Sequence, residues 1–126
     1  MAAKSQREIH IFKDSSAIAQ RAAEIFAEAA KSAVDQKGSL SVALAGGSTP
    51  KLLYSLLATD PSLRSRLPWD KMQMFFGDER HVGPDDPQSN FRMASETMLS
   101  KAPLKTEQIH RMKGEYPDAE QAAKEY

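Results

Sequence analysis

Apolar and polar residues follow two spacings along this chain, one typical of strands and one typical of helices. Short apolar runs at 40–45 and 72–76 predict buried strands, and alternation at 8–12 predicts another. A fourth short strand is predicted at 109–112. Because helical spacing follows each of these segments, we expect a three-layer α/β/α fold with a mainly parallel, Rossmann-like sheet.

The predicted helices have recognisable first and last residues. The first begins at Asp14 or Ser15, which can cap it, and Gly38 ends it. Its apolar positions keep helical spacing, at Ile18, Ala22, Ile25, Phe26, Ala29 and Ala33. Ser89 or Asn90 opens a later helix, whose predicted inner face holds Phe91, Ala94, Met98 and Leu99. A last helix begins at Asp118 and is too short to be stable without packing partners.

Residues 46–50, Gly-Gly-Ser-Thr-Pro, connect the apolar run at 40–45 to a helix. Two glycines allow a tight turn, Ser48 or Thr49 can cap the helix, and Pro50 suits its first turn. The run itself fits a strand covered on both faces. A helix N-terminus at the end of a strand binds anions, most often phosphate. Lys51 in the first turn favours an anion nearby. The alternative is an ordinary strand-to-helix turn with a good cap.

A second group of polar residues follows the run at 72–76. Asp78, Glu79 and Arg80 stand at the sheet edge where parallel α/β folds bind ligands. Carboxylates there can hold sugar hydroxyls or act as general bases, and arginine can bind phosphate or an oxyanion. The alternative is a solvated turn with an Asp–Arg ion pair. His81 abuts this group, but we expect a surface or packing role for it.

The composition indicates one globular domain. The chain has 126 residues, enough for a single core, and 17 basic residues balance 17 acidic ones. Neither nucleic acid nor a membrane surface is therefore expected as a partner. No stretch could span a bilayer, and residues 1–7 lack a signal-peptide apolar region. The absence of cysteine excludes thiolate chemistry, and we expect a cytoplasmic protein without a metal site.

Together these segments resemble the 6-phosphogluconolactonase family, which shares its fold with glucosamine-6-phosphate deaminases. The resemblance covers nearly the whole chain, in matching order and spacing. It is carried by residues 44–51 (Leu-Ala-Gly-Gly-Ser-Thr-Pro-Lys), 77–82 (Gly-Asp-Glu-Arg-His-Val) and 89–91 (Ser-Asn-Phe), and more weakly by 114–115 and 122–126. Three ordered motifs are far more specific than any one of them, so the structural alternatives above lose most of their weight.

The resemblance implies a site and a reaction. Asp78 and Arg80 would lie at the reacting end, and the ligand would be a phosphorylated sugar lactone. The substrate-binding residues would be Gly46, Gly47, Ser48, Thr49, Lys51 and Asn90. The implied reaction is hydrolysis of 6-phosphoglucono-δ-lactone to 6-phosphogluconate in the pentose phosphate pathway, without metal or organic cofactor. Lactone opening needs a base-activated water and stabilisation of an oxyanion.

The chain departs from the family in length. Members are roughly twice as long, and their second half carries a Gly-x-Asp-Gly-His-Thr-Ala-Ser-Leu-Phe-type motif whose histidine is taken as the general base. No such motif occurs here, so the chain resembles an N-terminal half. We expect such a half to be a poor lactonase or none, and to self-associate through exposed core surface.

Two other functions stay open at this point. One is an amino-sugar-phosphate deaminase, in which tyrosine typically follows Asp-Glu. Arg80 and the Ser89–Asn90 pair argue against that alternative. The other is a non-catalytic sugar-phosphate-binding module that keeps the anion-binding turn without the base, as the absent histidine motif suggests.

Overall fold

The computed structural model describes residues 6–126, so most of the N-terminal stretch examined for a signal peptide lies outside the described residues. Two strands, β1 (Leu40–Leu44) and β2 (Met72–Phe76), form a parallel sheet. The helices are α1 (Ser15–Lys37), α2 (Ser48–Thr59), α3 (Pro61–Arg66), α4 (Asn90–Ala94) and α5 (Ala119–Glu125). A π-helical turn, Ser95–Leu99, extends α4, and 3₁₀ turns occupy Trp69–Lys71 and Thr106–Gln108. No helix among residues 6–126 is long and apolar enough to cross a membrane.

The two strands are neighbours in the sheet and run in the same direction. Leu40 is opposite Met72, and Leu44 is opposite Phe76, so both strands end at the same level. The α/β class with a parallel sheet is therefore confirmed. A right-handed crossover through α2 and α3 is the usual way to connect such a pair.

One face of the sheet carries the core. Met72, Met74 and Phe76 alternate along β2, and all three are buried with Leu44 against alanines of α1 and with Leu57 of α2. The opposite face is only partly covered: Phe75 stacks on His110, whereas Ser41 and Ala43 of β1 are exposed. The prediction that β1 is covered on both faces is therefore wrong within residues 6–126. The apolar run could not reveal this, because small residues tolerate either environment.

The ends of α1 are as predicted, but its buried face agrees with the predicted apolar positions only in part, since Phe26 packs against the core and others do not. The Asp14 side chain accepts a hydrogen bond from the Ala17 amide, and Gly38 ends the helix in a left-handed conformation. The buried face consists of Ala19, Ala23, Ala27 and Ala30. Ile18, Ile25 and Ala29 of the predicted face are exposed, because close helix packing here favours the alanine stripe. The isoleucines gave the stronger hydrophobic signal and pointed to the neighbouring face.

Two of the four predicted strands do not form as strands. Residues 8–12 have no ladder partner within residues 6–126, and Ile11 is 93% exposed, so no described strand buries this alternation. At 109–112 only Ile109 pairs, through an isolated parallel bridge to Met74. The His110 amide donates to the Met74 carbonyl at 2.8 Å. The sheet described thus has two strands and one additional bridge rather than four strands.

Candidate active site

The turns that follow β1 and β2 meet at one edge of the sheet. The Gly77 amide donates to the Leu44 carbonyl at 2.9 Å, which joins the last residue of β1 to the first residue after β2. The β1 turn leads directly into α2, and the β2 turn leads through residues 83–88 to α4. Both predicted groups of functional residues are therefore brought together, at the carboxyl ends of parallel strands.

The N-terminus of α2 is open at this edge. Gly47 caps the helix with a φ of 102° and a ψ of 175°, a conformation that is essentially restricted to glycine. No side chain caps the helix, and Ser48 and Thr49 are its first two residues. The prediction that one of these hydroxyls caps α2 is therefore wrong. With no side-chain acceptor, the N–H groups of the first turn and the positive end of the helix dipole are available to an anion.

A tyrosine from the middle of α2 fixes the backbone just before this turn. The Tyr54 hydroxyl accepts a hydrogen bond from the Ala45 amide at 2.8 Å and donates to the Ala45 carbonyl at 3.0 Å. Both polar groups of one residue are satisfied by one phenol, where β1 no longer pairs with β2. Burial raises the pKa of Tyr54, so the phenol stays protonated and able to donate. The glycine turn is thereby held at a fixed position.

Asn90 connects the two turns. Its side-chain amide donates to the Asp78 carboxylate at 3.1 Å, and only 6% of the residue is exposed. Gly46 packs directly on this amide, since a Cβ at Gly46 would lie 2.6 Å from Asn90 Cγ. Gly46 is thus required for a close approach rather than for an unusual φ. Ser89, as predicted, caps α4 by accepting a hydrogen bond from the Arg92 amide.

An open cleft of about 520 Å³ lies between the turns. Five of the predicted site residues line it, namely Gly47, Ser48, Lys51, Arg80 and Asn90. Gly46 and Asp78 support the cleft by contacting Asn90, and Thr49 does not line it. Among the described residues no carboxylate forms a salt bridge with Arg80, so the Asp–Arg ion pair of the structural alternative is absent there.

The Arg80 turn rests on the segment that contains Gly114. A Cβ at Gly114 would lie 2.5 Å from the Val82 carbonyl oxygen and even closer to that of Arg80. Next to it, the Arg111 guanidinium binds both oxygens of Glu115 and lowers the pKa of that carboxyl to about 2. This pair keeps its charges at neutral pH and holds the segment beneath Arg80.

His81 points away from the cleft. Its Nε2 lies 2.6 Å from the Tyr116 carbonyl, which can only accept, so Nε2 carries the proton. The side chain lines a smaller apolar cavity of about 220 Å³ that includes Met112 and Tyr126. A packing role, as expected from the sequence, agrees with this position.

Sequence reasoning missed several residues of the cleft, since Pro87, Gln88 and Met93 also line it and no motif singled them out. Glu79, which the sequence placed with Asp78 and Arg80, does not line the cleft and contacts the start of α4 instead. No group of three or more potential metal ligands occurs in the part of the chain that the structure describes.

The fold and the cleft define a parallel α/β protein in which an uncapped helix N-terminus opens beside an arginine. Residues 13–126 match the family model described as glucosamine-6-phosphate isomerases/6-phosphogluconolactonase. The chain belongs to this family.

Individual relatives agree with that assignment. The chain is 37% identical over 105 residues to a 6-phosphogluconolactonase of Nostoc sp.. The matched region covers 83% of this chain and 42% of that protein. It is 43% identical over 94 residues to a 6-phosphogluconolactonase of Synechocystis sp., and this match covers 75% of the chain and 37% of that protein. The crystal structure of the Thermotoga maritima 6-phosphogluconolactonase superposes with a TM-score of 0.81 at 29% identity, over 93% of this chain and 50% of that one. The chain thus spans half or less of the length of these proteins.

Proposed function

We propose that this chain carries the phosphate-binding part of a 6-phosphogluconolactonase, which hydrolyses 6-phosphoglucono-δ-lactone to 6-phosphogluconate in the pentose phosphate pathway. The observation that carries the proposal is the single cleft in which the uncapped N-terminus of α2 faces Arg80. Such a cleft suits a ligand with a phosphate at one end and a carbonyl at the other. The lactonases among its relatives support the same substrate.

Each end of the cleft has its own chemistry in this proposal. The phosphate binds the first-turn amides of α2 together with Ser48 and Lys51, where dipole and charge both favour an anion. Arg80 stabilises the oxyanion that develops on the lactone carbonyl. Asp78, held by Asn90, orients a sugar hydroxyl or the attacking water. Thr49, which is exposed beside the cleft, contributes its backbone amide rather than its hydroxyl.

Other readings have less support. A deaminase would have tyrosine where Arg80 stands, and Arg80 lines the cleft. A non-catalytic sugar-phosphate-binding module would keep the same cleft and lack turnover. That alternative differs from a lactonase only in the base that activates water, and His81 is turned away toward Tyr116.

We also propose that this protein is cytoplasmic. Exposed apolar residues such as Ile18 and Ile25 of α1 would let the chain associate with other copies of itself.

A titration combined with two turnover assays separates these functions. We expect the chain to bind 6-phosphogluconate and to bind gluconate, which has no phosphate, at least ~10-fold more weakly, since a charge-assisted contact contributes about 1.5–3 kcal/mol. Lactone hydrolysis by this chain should exceed the spontaneous rate only slightly. The chain lacks the histidine motif of the family, and a general base commonly contributes about 10²–10⁴-fold to such a rate. Glucosamine 6-phosphate should not be deaminated. Equal affinity for the two gluconates would contradict the proposal, and light scattering in the same samples reports self-association.

Arg80→Lys tests the reacting end of the cleft. Lysine keeps the charge but loses the planar fork, so affinity for 6-phosphogluconate should fall by ~10-fold in calorimetry. Arg21→Lys, on the exposed side of α1, is the matched control and should bind like the original chain. Unchanged binding in Arg80→Lys would mean that the guanidinium makes no directed contact with the ligand.

A further inference from the structure

Glu79 accepts four hydrogen bonds, although it does not line the cleft. Its Oε1 accepts from the amides of Arg80 and Asn90, both at 2.7 Å. Its Oε2 accepts from the Ser89 hydroxyl at 2.9 Å and from the Phe91 amide at 3.0 Å. Each carboxylate oxygen thus accepts two hydrogen bonds, and three of the four donors are backbone N–H groups.

These contacts connect the turn after β2 to the beginning of α4. The amides of Asn90 and Phe91 belong to the first turn of α4 and have no acceptor within the helix. The amide of Arg80 belongs to the turn after β2, the other segment that Glu79 connects. One ionised side chain therefore sets the distance between the backbone of Arg80 and that of Asn90. Hydrogen bonds to a charged acceptor are the stronger kind, so this connection is stiff.

The shape of the cleft depends on the distance between the backbones of Arg80 and Asn90, which Glu79 sets. Arg80 and Asn90 both line the cleft, and Asn90 also holds the Asp78 carboxylate and packs on Gly46. A shift between the two backbones would move Arg80 relative to Asp78. The start of α2 has a support of its own, because the Tyr54 hydroxyl holds the Ala45 backbone through two hydrogen bonds that do not involve Glu79.

We propose that Glu79 is a positioning residue that sets the reacting end of the cleft and leaves the phosphate end unaffected. The inference rests on the proposed function, because it divides the same cleft into two ends. Glutamine cannot replace Glu79, since its amide nitrogen would face donors where Oε1 or Oε2 now accepts. Aspartate is one methylene shorter and cannot span all four donors.

The experiment compares Glu79→Gln with the original chain, using ¹⁵N-labelled protein and two probes, 6-phosphogluconate and inorganic phosphate. Without any probe, the amide signals of Arg80, Asn90 and Phe91 should move upfield, because all three lose a charged acceptor. The amides that face the new NH2 group lose their acceptor altogether and should exchange at least ~10-fold faster. Affinity for 6-phosphogluconate should fall by ~10-fold, whereas affinity for inorganic phosphate should change by less than about twofold. Glu28→Gln, an exposed position on α1, is the control.

The outcomes are separable. If the original chain binds neither probe, the proposed function fails, and the amide signals alone then decide the role of Glu79. Unchanged amide signals, or an equal loss for both probes, would overturn the inference. If Glu79→Gln does not fold by circular dichroism, Glu79→Asp keeps the charge but is one methylene shorter, so it loses part of the four contacts. A smaller shift of the same amides with unchanged phosphate affinity is then expected, and unshifted amides overturn it.

Discussion

Replacing Gly114 with alanine should lower the free energy of unfolding by about 2–3 kcal/mol, the upper part of the usual range for overpacking. The added methyl group would lie well within 3.0 Å of two carbonyl oxygens, those of Arg80 and Val82. Both are backbone atoms, so no side-chain rotation can relieve the contact. The turn that carries Arg80 must move instead, and urea denaturation followed by circular dichroism measures the loss of stability.

Gly83→Ala is the matched control for this change. It is the same substitution at a glycine that follows Val82 in the loop after β2, and no atom of residues 6–126 lies within 4 Å of the added Cβ. Neither Gly83 nor Gly114 has a positive φ, so the two variants differ in contact rather than in backbone strain. The control should stay within about 0.5 kcal/mol of the original chain. Equal stability of the two variants would show that the Gly114 segment does not support the Arg80 turn.

The second large effect is expected at Gly46. In Gly46→Ala the methyl group meets the buried amide of Asn90, which must leave its position beside Asp78. Binding of 6-phosphogluconate should fall by ~10- to 100-fold, since a buried polar group loses its partner at a cost of about 1–3 kcal/mol. The unfolding free energy should fall by a similar amount, and calorimetry and denaturation measure the two quantities separately.

A double variant assigns the cause. Gly46→Ala combined with Asn90→Ala removes the amide that the methyl group meets, so stability should recover relative to Gly46→Ala alone. Binding should not recover, because Asn90 lines the cleft and orients Asp78. If binding returned together with stability, Asn90 would be a structural partner of Gly46 without a part in ligand binding.

Local patterns predicted much of the fold. The apolar runs gave β1 and β2, Asp14 and Gly38 gave the ends of α1, and Ser89 gave the start of α4. These features depend on neighbouring residues. The alternation at 8–12 and 109–112 also indicated strands, yet a strand needs a partner, and pairing is not encoded in either segment alone. The buried face of α1 was predicted only in part, because packing selected small side chains over larger apolar ones.

The site was predictable to a similar extent. The order of the motifs identified the turns at Gly47 and Arg80, and parallel pairing brought them to one cleft. The part that Glu79 plays could not be read from the sequence, because three of its four donors lie ten to twelve residues further along the chain. The hydroxyl cap predicted for α2 failed because Gly47, which has no side chain, occupies the N-cap position. Distances between loops decide such details, and sequence spacing does not report them.

The hydrogen bonds on the outer side of β2 make the sheet able to grow in only one direction. Tyr126 donates its hydroxyl proton to the Phe76 carbonyl and accepts from the Phe76 amide, and the His110 amide occupies the Met74 carbonyl. The Tyr126 hydroxyl and the bridge at Ile109 thus occupy the outer edge of β2. The outer edge of β1, in contrast, has no strand partner within residues 6–126. Any strand recruited to this sheet, from the same polypeptide or from another molecule, finds its template along β1.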